Sequence, residues 1–233
     1  MLLSIIIPCY KEERDIKANI EKIHAFLNEN KIDAEIIAVS DGSPDKTYEI
    51  IKSIPYINGC GYEVNRGKGG AVKYGIEQAK GDYILFMDAD LSTDLSAIFT
   101  VIDNIGKYDF IVGSRHAPGS VIPVKQPFTR RFIGKMCRII VNAKFKFKMK
   151  DTQCGFKAIQ REKALEIVKR QHINGFAFDV EYLYIAKLLG YSINEIPVTW
   201  RDDRGSTVSP IKSSIRFFKD LRIIKKHKKD YLA

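Results

Sequence analysis

The chain has 233 residues, 45% hydrophobic and 28% charged, which suits one globular domain with a sizeable core. Its four cysteines, Cys9, Cys60, Cys137 and Cys154, are scattered without a CxxC pair, which argues against a disulfide or zinc framework. No apolar run approaches the ~20 residues of a membrane-spanning helix. The net charge of +10 is concentrated in two places. Lys125 to Lys150 holds nine Lys/Arg and no acid, and Ile211 to Ala233 holds eight against Asp220 and Asp230, leaving the remainder at −5. Localised basicity points to an anionic partner such as phospholipid, a phosphate-bearing substrate or nucleic acid, or else to a solvated face.

Met1 leads almost directly into Leu3–Ile7, a β-rich run ending at Pro8, which leaves no room for a targeting segment. The expectation is a cytoplasmic protein, at most peripheral on a membrane. A helical stretch from Glu12 to about Asn28 precedes a second strand, Ala34–Val39, closed by the turn-rich Asp41–Asp45. A short helix and a Gly-interrupted strand near Tyr56–Val64 follow. The loop Asn65–Gly70 opens a helix over Ala71–Ala79, and Asp82–Met87 is the clearest strand of all. Asp109–Val112 is the next. Strands alternating with helices predict an α/β domain with a mostly parallel central sheet, covered on both faces. Ligands in such sheets sit beyond the carboxyl ends of the strands, so Pro8–Glu12, Asp41, Asn65–Gly69 and Asp88–Asp90 should share one cleft.

Beyond a Pro/Gly-rich loop at His116–Gln126, a basic helix is predicted over Phe128–Phe145, with Phe132, Ile133, Met136, Ile139 and Ile140 as its apolar residues. Phe145–Lys150 alternates apolar residues with lysines, as if the lysines snorkel from a half-buried surface. Gly155–Ile159 and Ser192–Val198 read as strands, separated by a helix over Asp179–Leu189. Ile211–Lys226 reads as a basic amphipathic helix. It would lie in a membrane plane or pack its apolar face, with Ile211, Ile215, Phe218 and Leu221, on protein.

Two aspartates one residue apart, Asp88 and Asp90, end the buried strand, and their charge needs compensation. A hard divalent cation such as Mg²⁺ or Mn²⁺, shared with substrate phosphates, would supply it. A pair that merely capped a helix beginning near Asp94 would need no metal. The position at a strand end, beside three other polar loops, favours the metal. Asn65-Arg66-Gly67-Lys68-Gly69-Gly70 is neither a dinucleotide fingerprint, because Val72 stands where Gly or Ala is needed, nor a Walker loop, because Gly69 follows the Lys. It remains a basic loop at a helix N-terminus, a plausible anion site.

Together, Ser4–Glu13, Val39–Asp45, Asn65–Ala71 and Gly81–Ser92 resemble glycosyltransferase family 2. Gly113-Ser-Arg115, Asp151–Lys157, Phe178–Glu181 and Glu195–Val198 are similar to its polyprenyl-phosphate sugar synthases, the dolichyl-phosphate glucosyltransferases first and the dolichol-phosphate mannose synthases next. The likeness covers roughly residues 3–208. It implies a GT-A fold over 1–210, with a nucleotide-sugar half over about 1–113, an acceptor half over about 114–210, and a basic helix and tail over 211–233. It also implies an inverting, single-displacement mechanism. By that likeness Pro8, Tyr10, Glu12 and Asp41 hold the nucleoside, with Asp41 on the base. Arg66 and Lys68 sit near the donor, Asp88 and Asp90 bind sugar and metal, and Arg115, Arg130, Arg131 and Gln153 face the acceptor. One departure is Ser92, where some mannose synthases carry a Gln as third metal ligand.

Asp179 occupies the place of the catalytic base in relatives with sugar-hydroxyl acceptors. A hydroxyl must lose its proton, whereas a phosphate monoester, with its second pKa near ~6, is already ionised. The basic segments favour the phosphate. The implied reaction is transfer of a hexose, glucose or mannose, from a UDP-glucose or GDP-mannose type donor to dolichyl or undecaprenyl phosphate. It would take place at the cytoplasmic face of a membrane. The alternative is a sugar-hydroxyl acceptor in cell-surface glycan synthesis, with Asp179 as base. A nucleotidyltransferase lacks its signature here, and a nucleic-acid binder would leave Asp-Ala-Asp without a purpose, so no nucleic-acid partner is expected.

Overall fold

A computed structural model of the chain describes residues 1–124, 127–201 and 210–233, without the side chains at 128, 130 and 210–215. Seven strands form one sheet: β1 (Leu3–Cys9), β2 (Ala34–Asp41), β3 (Asn58–Tyr62), β4 (Tyr83–Met87), β5 (Phe110–Ser114), β6 (Phe156–Gln160) and β7 (Ile193–Pro197). Their order is β3-β2-β1-β4-β6-β5-β7. β6 alone runs antiparallel, pairing β4 on one side and β5 on the other. The remaining pairs are parallel, as the alternating pattern predicts.

Period-two alternation sends successive side chains to opposite faces, and both faces are dry. Ile6, Ile37, Ile84 and Phe86 enter one core, while Ile5, Ile7, Ile36, Leu85 and Met87 enter the other. Helices α1 (Ile16–Glu29), α2 (Thr47–Ser53) and α4 (Ala97–Asn104) contribute to the second core, through Ile16, Ile20, Ile23, Ile51 and Ile98 among others. The first core takes Val72 and Ile76 of α3 (Lys68–Gln78), Val141 of α5 (Phe128–Phe145) and Ile167 of α6 (Arg161–Lys169). It is completed by Tyr182 of α7 (Phe178–Leu188), Leu221 of α8 (Pro210–Lys226) and Tyr231 of the final 3₁₀ turn, Asp230–Leu232.

Two expectations change and one open alternative closes. α6 escapes the sequence reading, although Ala164, Ile167 and Val168 form a buried helical stripe. α3 starts at Lys68 rather than Ala71, because Gly67, at φ 101°, turns the chain and its carbonyl accepts the Ala71 amide at 3.1 Å. α8 packs on the domain: Phe217, Leu221 and Ile224 are buried, and Phe218, expected on the same face as Leu221, is half-buried. Ile211, Lys212 and Ile215, assigned to that helix's two faces, lie outside the residues whose side chains are described. The Phe145–Lys150 alternation holds: Phe145 and Phe147 are buried, and Lys146, Lys148 and Lys150 are exposed.

Candidate active site

β1 lies between β2 and β4 and parallel to both, so the turns after Cys9, Asp41 and Met87 emerge side by side at one sheet edge. Side chains stitch them together. The Lys11 amide donates to Ser43 Oγ at 3.1 Å and the Glu12 amide to Thr47 Oγ1 at 2.9 Å. Asn19 Nδ2 donates to the Ala89 carbonyl at 3.0 Å. Pro8 is half-buried at the end of β1, and Tyr10 is exposed beside the cleft.

Asp41 is buried, and its carboxylate accepts four hydrogen bonds: Tyr62 Oη at 2.7 Å, Asn65 Nδ2 at 3.0 Å, and the Arg66 and Gly67 amides at 2.8 and 2.9 Å. That uses the full capacity of a carboxylate, so Asp41 fixes the basic loop in place. The Arg66 guanidinium lies 4.2 Å over the Tyr62 ring. Gly67 has no room for a side chain, since a Cβ would come within 2.5 Å of the Asn174 carbonyl oxygen.

Lys68 projects from the first turn of α3 onto Asp88 and makes an ion pair with Oδ1. Burial alone would lower its pKa, but Asp88, Asp179 and Asp90 together raise it to about 12. The other Asp88 oxygen rests on Gly155, where an added Cβ would fall 2.1 Å from Oδ2. Asp90 Oδ1 accepts the Ser92 amide at 2.9 Å. Desolvation, then the Asp88 charge, push the Asp90 carboxyl upward. Neither aspartate caps a helix: α4 begins at Ala97, and Asp94 is the residue that bonds the Ser96 amide, at 3.0 Å. Asp88 and Asp90 thus present an all-oxygen donor set whose mutual repulsion Lys68 relieves only in part, which fits a hard divalent cation.

Asp179 is a buried residue on the first turn of α7, and its Oδ1 accepts a 2.7 Å ion-paired hydrogen bond from Lys157 Nζ. Burial raises the Asp179 carboxyl against the pull of Lys157 and Lys68. Lys157 is wholly buried on β6 and also donates to the Cys154 carbonyl at 2.5 Å. Arg115, expected to face the acceptor, forms a two-pronged pair with Asp151, Nε to Oδ2 at 2.7 Å and an Nη to Oδ1 at 3.0 Å. Its guanidinium lies 5.3 Å from the Trp200 ring centre. The Gln153 amide donates to Asp151 at 3.1 Å, and Glu195 accepts the Lys150 and Asp151 amides, each at 2.8 Å. Arg131 is exposed on α5, and among the described residues no contact joins it to the carboxylates. The side chain of Arg130 lies outside the described residues. Glu181 is structural: it accepts the His172 and Ile173 amides and the Tyr231 hydroxyl.

Sequence reasoning carried Asp151 and Lys157 only as the ends of a family-like motif and gave neither a role. The only local sign of Lys157 was a cation in the otherwise apolar Phe156–Ile159, and nothing near Asp151 marks it as the partner of Arg115.

Residues 4–168 match the glycosyl transferase family 2. The chain belongs to that family. Among curated relatives, this family 2 glycosyltransferase is 37% identical over 236 residues to the dolichyl-phosphate beta-glucosyltransferase of Dictyostelium discoideum, covering 94% of the chain and 72% of that protein. The enzyme of the same name from Saccharomyces cerevisiae is 33% identical, with 97% and 74% covered. Among solved structures, the fold matches glucosyl-3-phosphoglycerate synthase from Mycobacterium tuberculosis, crystallised with Mn²⁺, UDP and glucosyl-3-phosphoglycerate. The TM-score is 0.70 at 15% identity, over 97% of this chain and 79% of that one. Mannosyl-3-phosphoglycerate synthase from Rubrobacter xylanophilus gives 0.69 at 15%, over 99% and 75%. The fold is therefore the GT-A glycosyltransferase fold, as the motifs predict.

Proposed function

We propose that this glycosyltransferase moves a hexose, with inversion, from a nucleoside diphosphate sugar onto a polyprenyl phosphate. The names of its relatives support the substrate class. The observation that carries the choice of acceptor is the Asp179–Lys157 pair at 2.7 Å. Asp179 is buried and its Oδ1 is already held by Lys157, so we read it as a positioning group rather than a base open to a hydroxyl nucleophile. A phosphate monoester needs none, being largely dianionic at neutral pH.

The donor binds beyond β1, β2 and β4. Pro8, Tyr10 and Glu12 line the nucleoside side, and Asp41 serves the base by holding the Asn65–Gly67 loop in register. Asp88 and Asp90 would hold Mg²⁺ or Mn²⁺. When bound, such an ion neutralises charge on the departing diphosphate. Lys68, with its pKa near 12, stays protonated and keeps Asp88 aimed. Arg66 offers a second cation at the mouth.

On the acceptor side, Asp151 already neutralises Arg115, so Arg115 shapes the Gln153 loop rather than binding an anion alone. α5 is better suited to meet the lipid. Phe132, Ile133, Met136 and Ile139 are 56%, 41%, 42% and 51% exposed, and Arg131, Lys135 and Arg138 alternate with them along the helix. Apolar residues beside Lys/Arg suit a headgroup interface. Arg131, and Arg130 next to it, would receive the phosphate.

The test is incubation with a panel of nucleotide sugars and polyprenyl phosphates, with products identified by mass. A lipid-phosphate hexose is expected, nearly abolished by Asp90→Asn and by EDTA. Free-sugar products with no lipid product, or full activity in Asp90→Asn, would overturn the reading.

A further inference from the structure

Away from the cleft, the tail gathers a second set of ligand-type side chains. His172 sits between α6 and α7, His227 follows α8, and Asp230 opens the last turn. One ring nitrogen from each histidine and one carboxylate oxygen lie within 4.8 Å of one another. The two imidazoles are stacked, with centroids 4.0 Å apart and planes at 22°. His227 Nδ1 and Asp230 Oδ2 are 2.5 Å apart. A plain His–Asp ion pair accounts for His227 but not for a second imidazole laid against it.

We propose that His172, His227 and Asp230 form a site for a first-row transition-metal ion, with Zn²⁺ the best match. Two imidazoles and one carboxylate, with a place left for water, suit zinc, whereas the all-oxygen Asp88/Asp90 pair suits Mg²⁺ or Mn²⁺. The backbone under the site is already fixed. The His172 amide and the Tyr231 hydroxyl both bind Glu181 Oε1, at 2.8 and 2.6 Å, so both segments hang from one buried carboxylate. Only the exposed or half-buried ligand side chains need turn to close on an ion.

The ion would clip the C-terminal turn to the 171–175 loop, and that loop carries the donor loop. The Asn174 carbonyl accepts the Gly70 amide at 3.2 Å, and Gln171 Nε2 donates to the Gly69 carbonyl at 3.1 Å. Occupancy is thus coupled to the base of the Lys68 turn from the far side of α3.

The full chain, stripped with chelator, is titrated at neutral pH with Co²⁺ and then Zn²⁺. The visible ligand-field band is followed, along with the thermal midpoint. One Co²⁺ per chain with nitrogen-ligand absorption is expected, displaced by Zn²⁺ but not by Mg²⁺, with a raised midpoint in zinc. His172→Ala and His227→Ala should each lose both signals, and Asp90→Asn should keep them. Absence of the band in wild type, its survival in either histidine variant, or its loss in Asp90→Asn would overturn the proposal.

Discussion

Gly155 is the smallest residue on which the placement of Asp88 depends. The Asp88 carboxylate lies where a Cβ at 155 would be, 2.1 Å from Oδ2. Gly155→Ala must therefore swing Asp88 away from Lys68 and from Asp90. A misplacement of about 1 Å near the chemistry costs on the order of 10²-fold in rate, and that is the expected fall in kcat, with the circular dichroism spectrum unchanged. Asp151 makes a different prediction. Burial pushes its carboxyl upward, but the Arg115 charge and fork and the Arg115 and Gln153 amides hold it at about 2, below the usual 3.8. A depressed folded-state pKa stabilises the protein above the unfolded value, and the benefit disappears as pH falls through the folded value. The difference is worth about 2 kcal/mol. The stability gap between wild type and Asp151→Asn should narrow by that amount between about pH 5 and about pH 2, as read from urea midpoints. Asp88, Asp90, Asp41 and Lys68 were legible in the sequence because each stands where a strand or a glycine loop ends. Asp151 and Lys157 were not, because their partners lie 36 and 22 residues away and no local spacing encodes such pairs.

At the scale of elements, the joint between β6 and α7 rests on the Lys157–Asp179 pair. Truncating one member of a buried pair leaves the other uncompensated, at about 3–5 kcal/mol, whereas replacing both by apolar residues is often neutral. Asp179→Asn should therefore lower the urea midpoint sharply, and Lys157→Met with Asp179→Leu should recover most of it. A double variant as unstable as the single one would assign the loss to packing rather than charge. α7 was legible as a helix from its pattern, yet the buried acids on it were not. Glu181 is invisible as a structural residue until Tyr231, 50 residues on, is seen donating to it. α8 teaches the converse. Its amphipathic sequence fits a membrane or a core equally, and only the first core's need for Phe217, Leu221 and Ile224 decides.

For the whole molecule, the two basic segments present their apolar residues differently. α8 buries Phe217, Leu221 and Ile224 and exposes Ile223, while α5 leaves Ile133, Met136 and Ile139 open among arginines and lysines. Vesicle binding should follow α5. Replacing Ile133, Met136 and Ile139 by Ser should reduce co-sedimentation with anionic liposomes by roughly tenfold or more, since each exposed apolar side chain contributes on the order of 1 kcal/mol when covered. The thermal midpoint should hardly move. Undiminished sedimentation would assign the interface to another face. The net charge of +10 announced an anionic partner but not which surface meets it, because charge counts carry no direction.

The antiparallel strand has a consequence for the order in which the protein can be assembled. β6, residues 156–160, is the sole link between β4 and β5, although β5 leaves the chain some forty residues earlier. Until β6 arrives, β5 has no place in the β1–β4 sheet, and the outer side of β4 is an open edge of unpaired amides and carbonyls. Long-range pairings of this kind are slow to close. The same late strand brings Gly155 beneath Asp88 and Lys157 beneath Asp179. An amino-terminal intermediate would therefore hold β1–β4 and the Asp41-bound loop before Asp88 or Asp179 has its final neighbours, and its exposed β4 edge would be the place where misassembly with another nascent chain begins.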